Sequence, residues 1–196
     1  MTATSASVNA PSRSAAGFAR KVNVLRALSC SGVHEFASAA AVSVMRVLVV
    51  DTETTGLSPD ADRLIELGLV LHDSHDGGVE VGAFDVRINP ARAIPAEVTS
   101  LTGLSASDVV RGVDERAALT MLSAWMQVCD VVVGWNVAFD RNMLTAAAAR
   151  TGTTLPARPW RCACEVARAA HPEWPRHRLI DAVTTLGIEV APTHRA

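Results

Sequence analysis

Apolar positions are spread unevenly along this chain. Residues 1–44 are rich in alanine and serine and carry no sustained strand or helix period. Turn formers break them at Asn9-Ala10-Pro11-Ser12 and again at Ser29-Cys30-Ser31-Gly32. From Met45 the texture changes. Arg46-Val47-Leu48-Val49-Val50 is a β-branched apolar run of the kind buried on both faces of a sheet. It leads into Asp51-Thr52-Glu53-Thr54-Thr55-Gly56-Leu57 and a turn at Ser58-Pro59-Asp60. Residues 64–72 predict a second strand, Asp76-Gly77-Gly78 a hairpin turn and residues 79–88 a third strand, with Asn89-Pro90 closing the meander. Helical patterns cover 96–101 and 114–128. A short buried strand follows at Val131-Val132-Val133, then a helix over 138–150. Pro156 and Pro159 mark a loop, and helices follow over 164–170 and 178–186. Three meandering strands, then helices alternating with short strands, predict a mixed α/β sheet flanked by helices.

A length of 196 residues fits one domain plus a tail. No apolar run is long enough to cross a bilayer; the longest, residues 37–50, is interrupted by Arg46. Four cysteines in such a chain do not make a disulfide scaffold. The net charge of −2 hides a split, because residues 1–44 carry four basic side chains against Glu35 alone. The remainder, 45–196, carries 14 arginines against 19 carboxylates. A domain that acidic cannot grip a polyanion by charge alone, so a nucleic-acid substrate would need divalent metal to mask the carboxylates. Three readings of residues 1–44 stay open: a disordered leader, an extension upstream of a start at Met45, or a targeting peptide. Without targeting, the expected location is the cytoplasm.

Asp51 and Glu53 stand two apart at the end of a buried strand, so both face the same side of the sheet. Two adjacent carboxylates there repel each other unless a hard cation with oxygen ligands joins them. The second candidate segment is Gly134-Trp135-Asn136-Val137-Ala138-Phe139-Asp140, which places Asp140 in the opening of a helix, where the macrodipole also favours an acid.

Together, DTETTGL and the N-x-x-F-D of Asn136–Asp140 resemble the first and second motifs of the DnaQ-like (DEDDh) 3′→5′ exonucleases. That family includes the proofreading subunit of bacterial replicative polymerase, RNase T and oligoribonuclease. The resemblance runs from Met45 to the last residue. It includes Ile88-Asn89-Pro90 and Ile94-Pro95, with Thr102-Gly103-Leu104 standing where the family has His-Gly-Ile. It implies an RNase H-like mixed five-stranded sheet, three strands antiparallel and the rest parallel, and two-metal phosphodiester hydrolysis with Mg²⁺ or Mn²⁺. By resemblance, Asp51 bridges both ions, Glu53 helps hold the ion that activates water, and Asp140 serves the second ion. Thr54, Thr55 and Leu57 would provide main-chain and wedge contacts to the terminal nucleotide, and Asn136 would approach a phosphate. The implied partners are 3′ ends of single-stranded DNA or RNA and, by analogy, a DNA polymerase.

The family's third motif is a histidine followed five positions later by an aspartate on a final helix. His194 matches its context better than His177, whose following aspartate, Asp181, comes one position too early. The partner of His194 would fall beyond Ala196, so the expected domain is 45–196 lacking its last helix, with weak or no nuclease activity. The alternative is a catalytically weak module that binds nucleic acid or a polymerase; a product without a stable fold is the third reading. Weaker signals are Cys162-Ala163-Cys164 near His171 and His177, as zinc ligands or buried thiols. Trp125, Trp135, Trp160 and Trp174 could serve as base-stacking or core residues. The arginines at 158, 161, 168, 176 and 178 could line a strand path or form a solvated face.

Overall fold

A computed structural model describes residues 45–74 and 79–187. The expected hairpin turn at 76–78, the leader 1–44 and the segment holding His194 lie outside the described residues. Five strands form one sheet: β1 (Arg46–Thr54), β2 (Leu64–Asp73), β3 (Val79–Arg87), β4 (Val131–Gly134) and β5 (Trp160–Cys162). Their order is β3-β2-β1-β4-β5. The first three pair antiparallel, and β4 runs parallel to β1 and β5 parallel to β4. Six helices accompany them among the described residues: α1 (Ala96–Thr102), α2 (Ala106–Val109), α3 (Glu115–Gln127), α4 (Ala138–Thr151), α5 (Ala163–Ala170) and α6 (Leu179–Thr185).

The mixed sheet agrees with the expectation, and two details refine it. β1 carries Asp51 and Glu53, as expected, and runs on through Thr54, because Asp51, Thr52 and Glu53 stay in register with Gly68, Leu67 and Glu66 of β2. Residues 160–162, read as loop beside two prolines, form the edge strand β5. Pro159 accepts a hydrogen bond from the Val132 N–H at 2.9 Å, starting that pairing without donating to it.

Alternation along the strands builds a three-layer sandwich. Leu48 and Val50 of β1, with Leu67, Leu69 and Leu71 of β2, pack against Leu119, Leu122 and Met126 of α3 and Met143, Leu144 and Ala147 of α4. Val49 and Val70 point the other way, onto Ala163 and Ala167 of α5 and Ala182 and Val183 of α6. A smaller cluster of Ile65, Leu104 and Val109 seats the α1–α2 segment. Among the described residues no helix is long and apolar enough to cross a membrane.

The helices of the first layer are tied to the loop after β1 by one ion pair. Glu115, opening α3, accepts from the Leu64 N–H (3.0 Å) and from Nε and Nη2 of Arg150 in the last turn of α4 (2.8 and 2.7 Å). Arg150 also donates through Nη1 to the Pro59 carbonyl at 3.1 Å. The pair is largely shielded from solvent, so salt screens it less than an exposed bridge. Glu115→Ala is expected to lower unfolding free energy by about 2–3 kcal/mol, the scale for lost charged hydrogen bonds. Glu115→Gln, which keeps an acceptor for Leu64, should lose less, and urea denaturation midpoints measure both.

Candidate active site

The carboxylates singled out in the sequence lie around the C-terminal end of β1, on either side of it. β4 pairs with β1 only as far as Val49, leaving the β1 main chain beyond it without that neighbour. The chain leaving β4 turns tightly at Gly134, where a Cβ would stand 2.9 Å from the Val137 side chain and 3.1 Å from the Val50 carbonyl. Asn136 then takes the left-handed conformation (φ 58°), which asparagine tolerates better than most residues, and its carbonyl accepts the Phe139 N–H at 3.1 Å. This turn aims the start of α4 at β1. Asp140, only 4% exposed, accepts at Oδ1 from both the main-chain N–H (2.9 Å) and the hydroxyl (2.8 Å) of Thr52.

Thr52 is the residue between Asp51 and Glu53. It shares the α3–α4 side of the sheet with Leu48 and Val50, whereas Asp51 and Glu53, both half-buried, project toward the α5–α6 side with Val49. Asp140 therefore flanks the other two carboxylates across one strand. Three oxygen-donor carboxylates around one strand end suit a hard divalent cation in kind. Among the described residues, no group of three or more His, Cys, Asp or Glu side chains stands ready to hold an ion.

Beyond Thr54 the chain forms a loop closed on itself. The Thr54 hydroxyl donates to the Gly56 carbonyl at 2.6 Å. Thr55 exchanges main-chain and hydroxyl hydrogen bonds with Arg63 and donates to Asp62 Oδ1 at 2.9 Å. Asp62 Oδ2 accepts the Ser58 N–H at 3.0 Å, and Arg92 lies 3.9 Å from its other oxygen. A Cβ at Gly56 would fall 2.4 Å from the Asp62 carboxylate, so any larger residue there would push that carboxylate out of its place in the loop. Both threonine hydroxyls thus shape the loop, and Leu57 stands at its tip with 83% of its surface exposed. The hydrogen bond from Ser58, with that from Thr55 and the nearby arginines, holds the Asp62 carboxyl below the usual aspartate range. Nothing in a polar stretch such as Ser58–Arg63 marked Asp62 in the sequence.

The remaining candidates fall away from this strand end or into structural tasks. His194 lies outside the described residues. His177 has Nε2 3.0 Å from the His171 carbonyl, and its ring lies against Trp174, which stacks on His171 at 4.2 Å. Cys164 is buried and donates to the His177 carbonyl at 3.3 Å, and burial pushes its thiol up. Arg158 binds the Cys129 and Gln127 carbonyls at the end of α3, and Arg178 pairs with Asp181. Trp125 and Trp160 pack on the α3–α4 core, and Trp135 and Trp174 on the α5–α6 core.

Comparison with known proteins places these features in a wider group. The exonuclease family model named for RNase T matches residues 48–196. The PolC-type DNA polymerase III of Latilactobacillus sakei is 34% identical over 149 residues, covering 76% of this chain and 10% of the polymerase. That of Oceanobacillus iheyensis is 35% identical over 150 residues, with the same coverage of each. The chain thus spans about a tenth of the length of these relatives. Among solved structures, E. coli exonuclease I in complex with a dT13 oligonucleotide shares the fold. Its TM-score is 0.66 at 21% identity, over 74% of this chain and 36% of that one.

Two outcomes are expected from this geometry. Asp140→Ala leaves the Thr52 N–H and hydroxyl without their acceptor, which should cost about 2–6 kcal/mol at about 1–3 kcal/mol per unsatisfied group. Asp140→Asn keeps an acceptor oxygen and should stay within about 1 kcal/mol of the unsubstituted protein, as chemical denaturation would read. Because Asp62 is held below its unfolded value, its contribution to loop order is complete above the unfolded carboxyl range near pH 4. It is lost as pH falls through the lower folded value. Amide exchange across Thr55–Arg63 should follow that fall, and Asp62→Asn should flatten it.

Proposed function

Because this chain belongs to the RNase T family of DnaQ-like 3′→5′ exonucleases, we propose that it hydrolyses nucleotides from the 3′ end of a single strand with two divalent ions. The observation that carries this reading is the docking of Asp140 on Thr52, the residue between Asp51 and Glu53. It brings the second motif to the first at one strand end. In this reading Asp51, Glu53 and Asp140 hold Mg²⁺ or Mn²⁺, which supply Lewis acidity and an activated water when bound. Leu57 packs against the terminal base from the tip of its closed loop. The main chain around Thr54 and Thr55 lines the nucleotide, since both hydroxyls are spent within the loop. Asn136, exposed at the entrance to α4, binds a phosphate through its amide. His194 is the general base that takes the proton of the attacking water.

Single-stranded DNA is the substrate this reading takes, since the similar proteins include PolC-type DNA polymerases and an exonuclease solved in complex with a dT13 oligonucleotide. With 19 carboxylates against 14 arginines in residues 45–196, such a substrate depends on bound cations to approach.

The purified chain, given a 5′-labelled single strand and Mn²⁺, should release mononucleotides progressively from the 3′ end and stop on chelation. Asp51→Ala and Glu53→Ala should lower the rate at least about a hundredfold, more than is usual for groups that only orient a ligand. Oligonucleotide binding without release would instead identify a binding module.

A further inference from the structure

Glu53 has a neighbour that the chemistry above leaves unused. In the β1–β2 ladder it lies directly opposite Glu66, and in the β2–β3 ladder Glu66 lies directly opposite Arg87. The three side chains stand in one row on one face of the sheet. The adjacent row is Asp51, Gly68 and Asp85. Glu66 is buried, at 5% exposure. Carboxylates directly opposite each other, with Cβ atoms about 4.5–5.5 Å apart, repel, and burial of one adds the cost of removing it from water.

Arg87 answers both costs. Its Nη1 contacts Glu66 Oε1, with Asp85 Oδ1 3.5 Å from the same nitrogen, and Asp108 adds a further negative charge facing it. The main chain at Arg87 is fixed, since its carbonyl accepts the Val113 N–H at 3.0 Å. The contact draws Glu66 toward β3, on the side away from Glu53.

We propose that Glu66 and Arg87 are a positioning pair whose charges cancel, so that Glu53 is the charge this row presents to a metal ion. The inference rests on the reading of Glu53 as a ligand. It makes a demand on sign that a pair merely stitching the sheet would not. Neutralising Glu66 leaves a guanidinium facing Glu53, tempered by Asp85 and Asp108. Neutralising Arg87 leaves a second carboxylate facing Glu53. Neutralising both restores the balance.

The test is Mn²⁺ titration of the full chain, with free ion read by electron paramagnetic resonance and folding checked by thermal melts. Glu66→Gln should weaken binding about tenfold, Arg87→Gln should tighten it severalfold, and the double variant should return to within about threefold of the unsubstituted chain. Shifts in the same direction for both single variants, or none in folded protein, overturn the proposal. If Glu66→Gln does not fold, Arg87→Gln is compared with the double variant, which must bind Mn²⁺ more weakly; equal affinity overturns the proposal. Absence of Mn²⁺ binding by the unsubstituted chain, or binding indifferent to Glu53→Gln, overturns the ligand reading itself and this inference with it.

Discussion

A buried carboxylate must find donors, and Asp140 finds two on a single residue, the N–H and hydroxyl of Thr52. Much of the local architecture can be understood from that pairing. β4 is short, so β1 is left without its parallel neighbour where the first motif begins, and an acid at the start of a helix takes up the donor exposed there. The turn that makes this possible needs Gly134 for close approach and a left-handed Asn136, so the second motif is as much a backbone device as a set of functional groups. The same contact keeps α4 against the sheet at one end, while Arg150 and Glu115 hold it at the other.

The sheet was legible because apolar alternation reports burial directly. The run from Arg46 to Val50 and the pattern of residues 64–72 carry enough β-branched and aliphatic residues to leave little choice. β5 was not legible, since three residues just after two prolines have no period, and their pairing comes from β4 rather than from local preference. The last residues of β1 show the same dependence on a neighbour. Asp51 and Glu53 are poor strand formers alone, and register with β2 keeps them extended beside Thr52 and Thr54.

The candidate site divides along the same line. Asp51, Glu53 and Asp140 announce themselves because carboxylates are conspicuous at the end of an apolar strand and the start of a helix. Asp62 and Arg150 do not, because charged residues in a polar loop or in a last helical turn are ordinary. Glu66 was available to inspection as the one acid within the apolar run of residues 64–71. Its partner Arg87 is a strand away and about 20 positions later in the chain, a pairing that only register reveals.

Closure of the loop around Asp62 has a bearing on how a nucleic-acid end would be received. Apolar side chains as exposed as Leu57 are commonly mobile, and ordering them on contact costs conformational entropy. Here the backbone beneath Leu57 is already held by Thr54, Thr55, Ser58 and Asp62, so the main chain's share of that cost is met when the protein folds. Under the proposed function, a strand end would then meet a ledge whose main chain is already in place, and unstacking of the end would fall to the nucleic acid.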